Sequence, residues 1–183
     1  MWAKNHTPMR YIQYVLSGAL IWAVSACAPK PSEGFIKSVQ DEYKAAEQAL
    51  NEKIKQAEDQ ATKLQDPFSA VKAELGKAWT EKVEKDKAIK AKVDSISQKA
   101  QEAVNSINTA KNDASSALNE AKAFVDGLAT QQKKDEELKT EWENLKTKIT
   151  EKQGAIDAAT GGVSSILDGA NAVSEEIKKK YKK

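Results

Sequence analysis

The sequence predicts an all-α protein of elongated amphipathic helices, packed as an antiparallel helical bundle or wound as a coiled coil. Three observations predict it. Past residue 32, apolar residues recur at steps of three and four almost to the end of the chain. The positions between them are filled largely by Lys, Glu, Gln and Ala, which favour helix. No stretch alternates with the period of two that a half-buried strand requires.

The elements follow in chain order. Residues 1–26 read as a secretory signal peptide, with Met9 as an alternative start. Arg10 supplies a positive beginning, an apolar run extends from Tyr11 to Trp22, and Val24, Ser25 and Ala26 are small residues suited to a cut site. The apolar run is shorter than the roughly 18 residues of a spanning helix, and no cluster of Lys or Arg closes it. Residues 27–32 form a tether, in which Pro29 and Pro31 deny helix.

Residues 33–65 form the first long helix. Ser32, Glu33 and Gly34 offer its start. Phe35 or Ile36, Val39, Tyr43, Ala46, Leu50, Ile54, Ala57, Ala61 and Leu64 form its seam. The step of four from Leu50 to Ile54 is a stutter that locally unwinds a supercoil. Asp66-Pro67 ends this helix or kinks it, and a new helix is expected from Pro67. It covers residues 67–127, with Phe68, Val71, Leu75, Trp79 and Val83 on its apolar side, a poor seam up to Ile89, and an alanine-rich seam beyond. Its Ser- and Asn-rich middle is where a break or local opening is expected. After Gly127 a polar run favours a turn. Leu138, Trp142, Leu145, Ile149 and Ile156 mark a third helix over residues 132–160. Gly161-Gly162 reads as a helix end or hinge. A C-terminal helix over residues 164–181, capped by Ser164 or Ser165, carries a basic tail.

Two architectures bury these seams. The breakers favour an antiparallel bundle within one chain, whereas the thin seam favours parallel copies in a dimer or trimer.

Composition narrows the function. The chain has 29 basic and 27 acidic residues. Lys4 and Arg10 precede Cys27, so the remainder is balanced and has no general pull towards nucleic acid. The single histidine, His6, also lies in the signal segment, and Cys27 is the only cysteine. Most common catalytic and metal-binding arrangements therefore lack their residue types. No enzyme, cofactor or metal is expected.

Val24-Ser25-Ala26-Cys27 resembles the lipobox of bacterial lipoproteins. The resemblance implies that Cys27 is acylated on its sulfur, becomes the first mature residue and anchors the chain in a lipid bilayer. Two or more acyl chains give a stable anchor where one gives a marginal one. Ala28 in place of an aspartate implies, by the same resemblance, the outer membrane of a bacterial cell envelope. A second resemblance is carried by Ala91-Lys92-Val93-Asp94-Ser95-Ile96-Ser97 and Lys180-Tyr181-Lys182-Lys183. These pieces are similar to the major murein lipoprotein of enterobacteria, a lipidated helical trimer. The likeness implies attachment of Lys183 to peptidoglycan. This chain is longer than that family and carries Asp66-Pro67 and glycine breaks.

The remaining candidates are read from the residues. Lys178, Lys179, Lys180, Lys182 and Lys183 either complement the dipole of a helix C-terminus or contact an anionic wall polymer or phospholipid headgroups. Trp79 and Trp142 lie on the apolar spacing and either fill the core or anchor a protein partner. The expected function is a lipid-anchored helical envelope protein acting as spacer, scaffold or partner-binding surface, through self-association or a protein partner. The alternatives are an accessory subunit of an envelope machine (secretion, pilus or surface exclusion) and a surface-exposed adhesin or antigen.

Overall fold

A computed structural model of the protein describes residues 29–182. The signal peptide, the lipobox with Cys27, and Lys183 lie outside the described residues. Within them the chain is helical throughout, with no strand.

Helix α1 (Glu33–Leu64) starts where Ser32 caps it, its hydroxyl accepting the Phe35 amide at 3.2 Å. Glu33 adds a negative charge at the positive end of the helix dipole. Its buried stripe is Val39, Tyr43, Leu50, Ala57, Ala61 and Leu64. Asp66-Pro67 then stops the helix rather than kinking it. The next helix, α2 (Ser69–Leu75), begins two residues later than the sequence predicts. Asp66 does not cap its first turn directly: its carboxylate accepts the Phe68 amide and binds Lys72.

The long helix expected over 67–127 is divided, and the division is not in its middle. Gly76, at φ +52° and ψ −120°, closes α2. This is the conformation that type II′ turns give their first central residue, and it favours glycine. A π-helical turn follows at Trp79–Val83. Asp86 then caps α3 (Lys87–Gly127), accepting the amides of Ala88 and Ile89 at 3.1 and 3.2 Å. The Ser- and Asn-rich middle of α3 is unbroken helix. Its Asn105, Ser106, Asn108 and Asn112 are exposed, while Ala100, Ala110, Ala114, Ala117 and Ala121 are buried. Small buried residues let neighbouring helices approach closely, so packing overrides the weak propensity of the polar face.

A 3-10 turn at Leu128–Thr130 reverses the chain. Helix α4 (Asp135–Thr160) begins three residues later than the predicted 132, with Asp135, Glu136 and Glu137 in its first turn. Helix α5 (Val163–Tyr181) follows after Gly161-Gly162, and neither Ser164 nor Ser165 caps it.

Cross-helix ion pairs record the directions. Lys53 meets Asp157 and Glu42 meets Lys146, so α1 and α4 run in parallel. Lys111 meets Glu58, Lys152 meets Asp113 and Lys148 meets Glu120, so α3 is antiparallel to both. These three helices form a bundle whose core includes Leu50, Ile107, Ala114, Leu138, Trp142 and Ile149. Each larger apolar side chain contributes roughly 1.5–3 kcal/mol by leaving water. The seams are thus buried within one chain.

Beyond the end of α1, the first turns of α3 pack with α5, α2 and the π turn. Phe68, Val71, Trp79, Val83, Ile89, Ala170, Val173 and Ile177 form a second, smaller core there. Helix α3 passes through both units. At about 1.5 Å per residue its 41 residues span about 60 Å.

Candidate functional site

The two ends of the molecule differ in chemistry. At one end the tether enters beside the start of α4. The Ser32 amide and hydroxyl donate to the two Asp135 carboxylate oxygens at 2.9 and 2.6 Å. This bond holds the first residues of α1 against the α3–α4 turn. Any anchor preceding residue 29 is therefore joined to this end.

The basic tail lies at the other end. Asp86 organises it. One carboxylate oxygen accepts the Ala88 and Ile89 amides; the other accepts Lys180 Nζ and Tyr181 Oη, each at 2.5 Å. The Lys180 hydrogen bond, then that of Tyr181 and the Ile89 amide, hold the Asp86 carboxyl well below the usual carboxylate range. Glu74 binds Lys182 and Lys178, and its carboxyl is lowered chiefly by Lys182. Lys178 also meets Glu175. The last turn of α5 is thus clasped to α2 and to the cap of α3.

The five lysines singled out in the sequence divide accordingly. Lys178, Lys180 and Lys182 neutralise carboxylates of the same chain. Lys179 is exposed and joins none of the ion pairs among the described residues. Lys183 lies outside them.

Both tryptophans are buried. Trp79 belongs to the smaller core, tilted against Phe68 with ring centroids 6.3 Å apart, and Lys72 Nζ lies 5.6 Å from its ring centre. Trp142 sits in the bundle core and stacks on Phe124, with centroids 6.2 Å apart and planes 7° from parallel. Its indole N–H donates to Glu42 at 2.9 Å, and Lys146 binds the same oxygen at 2.8 Å. These contacts, Lys146 first, lower the Glu42 carboxyl. In both places the ring fills the protein's own interior.

A cleft of about 220 Å³ opens between the π turn and α3. Trp79 forms part of its wall. Lys72 and Lys90 line it as well, but Lys72 is bound to Asp66 and Lys90 to Asp94. Glu84 and Ser97 complete its polar lining. Among the described residues no three His, Cys, Asp or Glu side chains gather to hold a metal ion, and no helix is long and apolar enough to cross a membrane.

Glu74 and Asp86 are not among the candidates that the sequence singles out. A local signal for Asp86 was available: an Asp three residues before a buried Ile is an N-cap pattern. For Glu74 no local signal exists, because its partners are about a hundred residues away. Comparison with protein-family models, curated proteins and solved structures finds no match for the chain.

Proposed function

We propose that this chain is a lipid-anchored helical envelope protein that works as a spacer, holding a basic end at a fixed distance from its membrane. The observation that carries the reading is the opposition of the two ends. The tether meets the bundle beside the α3–α4 turn through Ser32 and Asp135, while the clasped lysines of α5 lie at the far end of α3. About 60 Å of helix separates them.

The anchor is Cys27, acylated within Val24-Ser25-Ala26-Cys27, and the bilayer is the outer membrane of a bacterial envelope. Pro29 and Pro31 then form a short stiff link to a rod that packs its own seams. The distal lysines face the wall or another charged surface. Contact with peptidoglycan in this reading is non-covalent; Lys178, Lys180 and Lys182 are engaged with Glu74 and Asp86, and Lys183, which the murein-lipoprotein likeness would bond to the wall, lies outside the described residues.

The test is metabolic labelling with a fatty acid. The native chain should be labelled and processed before Cys27, and Cys27→Ser should be neither. Normal labelling and cleavage of Cys27→Ser would remove the anchor and the spacer with it.

A further inference from the structure

Charge is separated along the molecule. Residues 65–96 and 170–182, which make up the smaller unit, carry eleven lysines against eight acidic residues. Residues 29–64 and 97–169, the bundle, carry fifteen against nineteen. The smaller unit therefore bears a net positive charge and the bundle a net negative one, although the two nearly cancel.

The excess is concentrated at the tip. Lys72, Lys90, Lys92, Lys178, Lys180 and Lys182 are neutralised by carboxylates of this unit. Lys77, Lys82, Lys85, Lys87 and Lys179 are exposed and have no carboxylate partner among the described residues. Four of them lie in the connection that carries the chain from α2 through the π turn into α3. Glu81 and Glu84 are the exposed acids between them; Asp86 is spent on Lys180, Tyr181 and the cap of α3.

We propose that this lysine tip docks end-on to an anionic phospholipid bilayer, a second surface facing the one that holds the anchor. The proposal rests on the spacer reading and names what the spacer reaches. Lysine ammonium groups on flexible stems, with no enclosed anion site, suit a dense and extended field of phosphates rather than one shaped ligand. Four of the five lie in one connection of the chain, between residues 77 and 87, where a broad surface can meet several together. A chain-like polyanion would instead need a basic track along a groove. The lysines in such positions, Lys72, Lys90 and Lys92, already hold Asp66, Asp94 and Glu176. Attraction to an anionic leaflet adds lysine by lysine and is screened by salt within about 8–10 Å.

The test uses the full chain on vesicles. Flotation with neutral phosphatidylcholine vesicles reads the anchor alone. Such loaded vesicles are then mixed with vesicles containing phosphatidylglycerol, and recruitment of the second set reads the tip. We expect recruitment that disappears in high salt. Replacing Lys77, Lys82, Lys85, Lys87 and Lys179 by Gln together should reduce it about tenfold or more without changing flotation. The same change at Lys37, Lys44, Lys55, Lys63 and Lys139, exposed on the bundle, should leave recruitment intact; circular dichroism confirms that both variants keep their helix. Three results would overturn the proposal: recruitment unaffected by the tip substitutions, equal loss in the bundle variant, or binding of dextran sulfate in solution with no preference for phosphatidylglycerol vesicles. If the anchor reading is the one at fault, flotation fails, yet the chain in solution still sediments with phosphatidylglycerol vesicles through the tip.

Discussion

The bundle and the smaller unit share α3 but are held together by different means. The bundle buries a continuous stripe from each of three long helices, and its core holds twenty buried apolar residues. The smaller unit has eight, supplied by four short pieces of chain. With less apolar area removed from water, it relies more on polar fastening: Asp86 and Glu74 clasp α5, Asp86 caps α3, and Asp66 binds Lys72. The difference teaches where this molecule opens. A region with a small core and solvent-facing polar ties is the first to unfold locally, and here that region carries the basic tip.

The comparison is broken most directly in the two cores. Trp142→Ala should destabilise the whole protein by about 3–5 kcal/mol, read by denaturant unfolding. The lost ring would also leave Glu42 without its indole donor. Trp79→Ala removes a similar volume, but its effect should be confined to one unit. Hydrogen exchange is expected to show lost protection over residues 65–96 and 170–182 while α1 and α4 keep theirs. Uniform loss in both variants would mean that α3 couples the units into one cooperative block.

Two glycines sharpen the contrast at smaller amplitude. Gly76→Ala forces a side chain into a backbone conformation that only glycine adopts readily, although the space around it is open. It should cost about 1–3 kcal/mol and loosen the smaller unit. Gly154→Ala lies inside α4 with nothing within 4 Å of the added carbon. It should stabilise the bundle by about 0.5–1 kcal/mol. Opposite shifts in thermal midpoint are the expected result, and shifts of the same sign would contradict these assignments.

The clasp is the smallest of these effects, since its ion pairs face solvent and such pairs are weak. Asp86→Asn should speed tryptic release of the last turn of α5 without lowering the global midpoint. The pH dependence has a defined sign. The Asp86 carboxyl is held below its ordinary value of 3.8, so its contribution is complete above that pH and lost as pH falls beneath it towards the folded-state value. Exchange protection of the α5 end should be constant from pH 7 to pH 5 and decline below about 4. The bundle offers the alkaline counterpart. Burial first, then its hydrogen bond to Glu47, pushes the Tyr43 hydroxyl up to about 12. That contribution is complete below the ordinary value of 10.0 and lost as pH rises through 12. Phenolate absorbance should report the delayed ionisation.

How much was legible follows from what kind of signal each feature leaves. Helix α1 is written locally, since Ser32 caps it, Asp66-Pro67 ends it and its stripe runs in steps of three and four from end to end, with one stutter. The reversal after Gly127 is equally plain, because a polar run interrupts the seam. The second helix divides at Gly76 and not in the Asn-rich stretch, because buried alanines hold that stretch helical despite its low propensity. Gly76 looks like a mild weakener in sequence; only its positive φ makes it a terminator. For the candidate site, the lysines of α5 stand out by composition, whereas Glu74 and Asp86 do not, since nothing in a carboxylate's neighbours announces a partner on another helix.

By itself the sequence determined that this chain is helical, where its apolar stripes run and where most helices stop, because those properties depend on residues within a few turns of one another. The tertiary structure decided that the stripes meet within one chain, that α1 and α4 run parallel with α3 antiparallel to both, and that the tether and the basic tip stand at opposite ends. Those facts arise from contacts between residues about a hundred positions apart, such as Ser32 with Asp135 and Asp86 with Lys180. No local pattern encodes them, since a charged residue on a helix face looks the same whichever partner folding brings to it.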